Sequence, residues 1–208
     1  MSDLQRVAMK QDNADGAVRI IFAHGAGAGL QSDFMQYFAL GLALKNIEVV
    51  RFNFPYWQKF MDTGVRRPPN RMAELEHCMR TVAQQFNDNK PLYLMGKSMG
   101  ARVAFRLADE LNASAAIALG FPFHPVGKPE KLRLDDLDNS CDQNLIIQGT
   151  RDNFGKPEEV AGYNLPENVR LQWIEHGDHS LEPTKRSGLA REQLWQNAIE
   201  QIEKQVRY

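Results

Sequence analysis

The chain has 208 residues and a formal net charge of −1, so a broad basic face for nucleic acid is not expected. At this length folding buries roughly 70% of the unfolded surface, so one domain spanning 1–208 needs no disulfide or metal staple. Cys78 and Cys141 then read as cytosolic thiols. No apolar run approaches the ~18 residues of a membrane span, and MSDLQRVAMKQDNADG at the start lacks the apolar centre of a signal peptide; the expectation is a cytoplasmic protein with no membrane and no nucleic-acid partner.

In chain order, the first 16 or so residues leave an extra edge strand open. AVRIIFA (17–23) is the first clear strand candidate, followed by the glycine cluster HGAGAG (24–29). SDFMQYFALGLALK then predicts a helix with Ser32 as N-cap and an apolar stripe of Phe34, Tyr37, Phe38 and Leu42. A strand at EVVRF (48–52) leads into PYWQKFMDTGVRRPPN (55–70), which reads as a loop rich in turn residues and aromatics. Residues 71–86 predict a helix through Met72, Leu75, Met79, Val82 and Phe86.

PLYLM (91–95) is the next strand, and 99–111 the next helix, with Ala101, Ala104, Phe105, Ala108 and Leu111 on one stripe. AAIAL (115–119) precedes a second loop, GFPFHPVGKPEK (120–131). NLIIQ (144–148) and VRLQWI (169–174) complete the strands, and a last helix covers about 187–206 through Leu194, Ala198, Ile199 and Ile202. Short, continuous apolar strands alternating with helices predict an α/β fold: a doubly wound, mostly parallel sheet with helices on both faces. Both long loops leave the carboxyl ends of strands, where such sheets bind ligands.

YLMGKSMGAR (93–102) admits two readings. A phosphate-binding P-loop needs G-x-x-x-x-G-K-[ST], but its first glycine would fall on Pro91, and Leu-Tyr-Leu-Met at 92–95 is strand material. HGAGAG fails as a dinucleotide fingerprint because Leu30 stands where the last glycine belongs and no acid ends the following strand. G-K-S-M-G instead fits the G-x-S-x-G turn, placed between a strand and a helix as a nucleophile elbow requires. Ser98 is then the nucleophile, and Lys97 merely occupies the free position.

A serine hydroxyl needs a base, and on this architecture acid and histidine follow after later strands. Asp152 fits, since NLIIQ runs into GTRD, and His179 fits, since VRLQWI runs into EHGDHSL. Asp142 precedes its strand, at the wrong end of the sheet; Asp135, Asp136 and Asp138 read as solvated charges; Asp178 adjoins the histidine it would have to face. His176 stays open as an alternative base. The H-x-x-H spacing lacks further ligands, so no metal and no cofactor are expected. His77 reads as structural and His124 as solvated. The oxyanion donors are expected to be the N–H groups of Met99 and of Ala26, within His24-Gly25-Ala26-Gly27.

With HGAGAG, GKSMGAR, GTRDNFG and GDHSL in this order, the chain resembles the α/β-hydrolase superfamily over nearly its whole length. More narrowly, RFNFPYW (51–57) and the following RRPP make it similar to small dienelactone-hydrolase-like proteins, grouped with the testis-expressed and NSL-complex-subunit hydrolase-like proteins. The resemblance implies an eight-stranded sheet or a trimmed version, with Ser98, Asp152 and His179 as triad. Dienelactone hydrolases carry cysteine where this chain has Ser98, so their substrate does not transfer.

The expectation is a serine hydrolase of esterase type acting on a small acyl ester. A hydrolase-fold interaction module with an unidentified protein partner and an acyltransferase stay open as alternatives. Only 24 residues separate AAIAL from NLIIQ, too few for a lid domain, so an open pocket bordered by Trp57, Phe60 and Phe121 or Phe123 is expected. Arg66 and Arg67 raise an acidic substrate, solvated loop charges being the plainer reading.

Overall fold

The computed structural model describes residues 7–86 and 88–206. Its strands are β1 (Met9–Asp12), β2 (Val18–Ala23), β3 (Ile47–Phe52), β4 (Leu92–Lys97), β5 (Ala115–Leu119), β6 (Asn144–Gly149) and β7 (Val169–Ile174). Among the described residues they form a seven-stranded sheet ordered β1-β3-β2-β4-β5-β6-β7, a trimmed version of the eight-stranded expectation. The six strands from β2 onward pair in parallel, whereas β1 runs antiparallel along β3, from Met9 opposite Phe52 to Asp12 opposite Val49. This short edge strand answers the question left at the N-terminus. A fully buried side chain fastens it: Arg51 donates to Asp12 Oδ2 at 2.8 and 3.1 Å and to the Leu30 carbonyl at 2.8 Å.

Every residue of β3, β5 and β6 is buried, which is why their sequences are mainly apolar; the polar exceptions, Glu48 and Arg51 in β3 and Asn144 and Gln148 in β6, are buried with hydrogen-bond partners. The period of two still sorts residues between faces. Ile20 and Phe22 face α1 (Asp33–Ala43) and α6 (Arg191–Val206), where Trp195 packs edge-on to Phe34 and Tyr37. Ile21 and Ala23 face α3 (Met72–Ala83) and α4 (Met99–Leu107). The opposite side of α4, through Ala101, Phe105 and Ala108, covers Ala116, Ala118 and Ile146. Helices thus lie on both faces, and no helix among the described residues is long and apolar enough to cross a membrane.

Ser32 caps α1 as its position implies, its Oγ accepting from the Met35 N–H at 3.4 Å. The segment 55–70 departs from expectation. Residues Pro55–Thr63 form a helix, α2, and only the remainder is irregular. Proline at the first helical position is compatible with this, because the N–H it lacks would have no intrahelical acceptor. The cap escapes a local reading: Asn70 Oδ1, fourteen residues on, accepts from the Tyr56 N–H at 2.8 Å. A four-residue helix, α5 (Pro157–Val160), also follows β6.

Two side chains read as solvated are buried. Asp136 is 4% exposed and accepts from Arg102 at 2.5 Å and Arg106 at 3.0 Å, tying the 3₁₀ turn Leu134–Leu137 to α4. His124 is 2% exposed, with Nδ1 2.9 Å from the Pro125 carbonyl and Nε2 3.6 Å from Glu159. Both lie on the connection between β5 and β6, which folds back on the core and leaves no lid.

The sheet order reverses between β2 and β4, since β3 lies on one side of β2 and β5 on the other side of β4. Register levels the strand ends, pairing Ala23 with Gly96, Leu119 with Ile147, and Gly149 with Ile174. Loops after β2, β4, β6 and β7 therefore emerge along one edge, beside the crevice that such a reversal creates.

Candidate active site

Ser98 joins β4 to α4 at φ 52° and ψ −111°, a left-handed conformation that costs a non-glycine residue about 1–3 kcal/mol. The neighbouring glycines make so sharp a turn sterically feasible. A Cβ on Gly96 would fall 2.0 Å from the carbonyl carbon of Gly100, and one on Gly100 would fall 2.5 Å from the Ala23 carbonyl oxygen. The turn closes on itself and on β2, leaving the Ser98 side chain at the tip.

Ser98 Oγ lies 2.8 Å from His179 Nε2, and His179 Nδ1 lies 2.7 Å from Asp152 Oδ2. A carboxylate only accepts, so Nδ1 carries the proton and the Nε2 lone pair faces the serine hydroxyl. Asp152 is wholly buried and held from two further sides: Gln148 Nε2 donates to Oδ2 at 2.9 Å, and the Phe154 N–H to Oδ1 at 2.9 Å. The Phe154 ring lies 4.3 Å from the His179 ring at 37°. Burial pushes the His179 imidazole below its ordinary value, and the positive charge of Lys97 adds to the shift; the hydrogen bond to Asp152 and the charges of Asp152 and Asp178 oppose it.

The loop carrying His179 is fixed by its own backbone and by the core. Asp178 Oδ1 accepts from the N–H groups of Ser180 at 2.8 Å and Glu182 at 3.0 Å, and Trp195 Nε1 donates to the Ser180 carbonyl at 2.9 Å. Lys97 Nζ donates to the carbonyl of His179 itself. Lys97 is 9% exposed, so the residue read as an incidental occupant of the pentapeptide is part of the packed interior.

On the other side stands the loop after β2. His24 is fully buried; its Nε2 accepts the Phe54 N–H at 2.9 Å, so its Nδ1 is the protonated nitrogen that faces the Gly25 carbonyl at 2.7 Å. Burial lowers its pKa from 6.5 to about 4, keeping the ring neutral. The Tyr56 hydroxyl, 3.2 Å from the Gly25 carbonyl and 3.1 Å from that of Ala26, completes the clamp. In a trans peptide C=O and N–H point in opposite directions. With the Gly25 carbonyl drawn towards His24 and Tyr56, the Ala26 N–H of the same peptide is turned away from them. Neither that N–H nor the Met99 N–H, in the unpaired first turn of α4, meets an acceptor among the described residues.

Ser98, His179 and Asp152 are thus brought together, with Met99 next in the chain and the loop after β2 alongside, where a Cβ on Gly25 would come 3.5 Å from the Ser98 Cβ. His176 is not: it sits exposed at φ 64°, its N–H donating to Thr150 Oγ1 and its carbonyl accepting from Arg151. Trp57 and Phe60 lie on α2 with ring centroids 5.2 Å apart, and Trp57 is 6.0 Å from His24. Arg66 reaches over the Phe60 ring at 5.3 Å, and Arg67 is exposed. Phe121 and Phe123 do not border an open pocket. Both have no exposed surface and pack with Phe105 and Val160, because Gln148 Oε1 accepts the Phe121 N–H at 2.8 Å and draws that segment inward.

Sequence reasoning missed Lys97, Gln148, Phe154, Tyr56 and Trp195. Gln148 left a signal, a polar residue ending an apolar strand four positions before Asp152. Phe154 left none, since its value lies in a ring contact made across the sheet edge.

A family model described as an alpha/beta hydrolase domain matches residues 16–207. Among solved structures, a lidless serine hydrolase from Xanthomonas campestris is similar at 24% identity, with 94% of this chain and 88% of that one covered and a TM-score of 0.65. A dienelactone hydrolase from Anabaena variabilis matches at 19% identity over 92% and 89% of the two chains, TM-score 0.65. Est1E from Butyrivibrio proteoclasticus, in a structure with ferulic acid bound, matches at 15% identity over 97% and 96%, TM-score 0.68. At these identities the structures speak for the shared fold.

Proposed function

The chain belongs to the α/β-hydrolase family, and from that premise we propose that it is a serine hydrolase of esterase type, acting on small acyl esters through an acyl-enzyme. The observation that carries this reading is the unbroken hydrogen-bond chain from Ser98 through His179 to Asp152.

In the first half-reaction His179 Nε2 takes the Ser98 proton as Oγ attacks the ester carbonyl carbon. The carbonyl π electrons move to the oxygen, and the N–H groups of Ala26 and Met99 receive the oxyanion; one such donor is worth about 2.7–4 kcal/mol in the transition state. The tetrahedral adduct collapses, the C–O bond to the alcohol breaks, and the imidazolium returns its proton to the leaving oxygen. Water then repeats the sequence on the acyl-enzyme, releasing the acid and restoring Ser98. Asp152 keeps the imidazole in the productive tautomer and offsets the charge on the imidazolium.

Fluorophosphonate labelling tests the reading, because the probe reports an activated serine without requiring the natural substrate. Wild type is expected to label at a single site that Ser98→Ala removes. An acyl-ester panel, aromatic acyl groups included, then defines the preference. No labelling of folded wild type would sink the hydrolase reading.

The pH profile provides a second check. His179 serves as base only when neutral, and its pKa in the folded protein lies below the ordinary 6.5. Activity should therefore hold as pH falls through neutrality and decline only beneath that value, read as log(kcat/KM) against pH. A limb centred above pH 7 would contradict His179 as the base.

A further inference from the structure

Lys97 is a buried cation that the reaction outlined above does not use. It follows Gly96 at the end of β4 and directly precedes the nucleophile, yet its side chain turns under the sheet edge rather than towards solvent. Among the described residues its one hydrogen bond is to the His179 carbonyl, and it has no carboxylate within ion-pair distance. Around it lie the Phe34 ring, 5.7 Å from Nζ, Gly120 at φ 68°, and Gly25, whose added Cβ would come 3.4 Å from Lys97 Cγ. A Cβ on Gly120 would come within 3.2 Å of both Lys97 Nζ and His179 Nδ1, and within 2.7 Å of the His179 carbonyl oxygen, so the space around this contact is closed on that side as well.

Placing an ammonium here carries a desolvation cost, and burial does push its pKa down, to about 8. A surface-seeking lysine would avoid that cost by extending outward. Retaining it inside, on the backbone carbonyl of His179, the reacting serine's own hydrogen-bond partner, points to work at this contact.

We propose that Lys97 is a positioning residue that ties the nucleophile's strand to the His179 loop and, through its charge, biases the imidazole towards the neutral, proton-accepting form. The two reacting side chains come from loops 81 positions apart in sequence, and Lys97 is covalently adjacent to one while hydrogen-bonded to the other. Its displacement would move Ser98 and His179 relative to each other. The charges facing the imidazole are Asp152 from the loop after β6, Asp178 from its own loop, and Lys97 from β4; both aspartates favour the imidazolium, and Lys97 is the opposing charge. Because it is buried beneath the loop, Lys97 does not contact substrate. The proposal rests on the hydrolase reading.

The test compares wild type, Lys97→Met and Lys97→Gln in fluorophosphonate labelling rate and in steady-state kinetics from pH 4.5 to 9 on the best ester of the panel. Lys97→Met should lower kcat and the labelling rate about 10- to 100-fold with KM little changed, the scale of a reacting group misplaced by an ångström or less. Both neutral variants should move the acid limb up by roughly one pH unit, the sign expected when a like charge beside a histidine is removed. A purely structural role would lower the melting temperature without moving the limb. If Lys97→Met fails to fold, Lys97→Gln carries the charge test, and a wild-type limb lying above the ordinary histidine value overturns the proposal without any variant. Folded variants that match wild type in rate and limb overturn the role of Lys97 alone. A wild type that does not label at Ser98 removes the hydrolase reading and this proposal together.

Discussion

Ser98→Ala and His179→Ala are each expected to reduce kcat by about 10⁶-fold, and the double replacement by no more than either single one. The two side chains act as a unit: without the base the hydroxyl keeps its proton, and without the hydroxyl the base has nothing to deprotonate. Their 2.8 Å contact is the physical basis of that coupling. A residual rate above that of water should survive in all three variants, since binding and the Ala26 and Met99 N–H groups remain. Stopped assays at high enzyme concentration measure it, and additive losses in the double variant would show that the two residues serve separate steps.

The second large effect is expected at Asp152. Asp152→Asn should lower kcat by about 10⁴-fold, less than loss of either partner, while leaving the fold intact. The amide is isosteric, but its NH₂ cannot accept from His179 Nδ1–H. Gln148 already donates to the oxygen that His179 approaches, at 2.9 and 2.7 Å respectively. Asparagine must therefore choose: if its oxygen faces both donors, its NH₂ faces the Phe154 N–H; if it flips, His179 is driven to the wrong tautomer. Circular dichroism and thermal melting establish that the variant is folded, and kcat within tenfold of wild type would remove Asp152 from its role.

The inner strands were legible because burial on both faces leaves short, dense apolar runs, and the partly exposed edge strand VRLQWI because its apolar residues alternate with Arg170 and Gln172. AAIAL and VRLQWI match β5 and β7 residue for residue. The serine, acid and histidine positions were legible for a related reason: parallel strands of equal register present their carboxyl ends together, so a candidate site needs only the right residue just after each strand. Helix α2 was not legible, because its N-terminal partner is Asn70 and no local pattern announces a cap fourteen residues away. The inward turn of Phe121 and Phe123 was equally hidden. Two aromatics after a strand suit a pocket wall as well as a core, and what decides between them is Gln148, on the neighbouring strand. Lys97 was misread because the pentapeptide leaves its position free; only packing shows that the side chain turns inward.

His24 gives the molecule a second histidine that must stay neutral, for architectural and not chemical reasons. Its Nε2 is occupied by the Phe54 N–H, so protonation requires that bond to break. A histidine whose folded pKa is depressed from 6.5 to about 4 binds fewer protons folded than unfolded. Its contribution to stability is present above pH 6.5 and is lost progressively as pH falls towards 4, a total of about 3 kcal/mol. Acid therefore acts on this protein in two ways that time can separate. Titration of His179 is immediate and reverses on neutralisation. Protonation of His24 must break its bond to the Phe54 N–H and is expected to loosen the loop that carries Ala26, so prolonged exposure to an acidic buffer should leave a smaller fraction of recoverable protein than brief exposure to the same buffer.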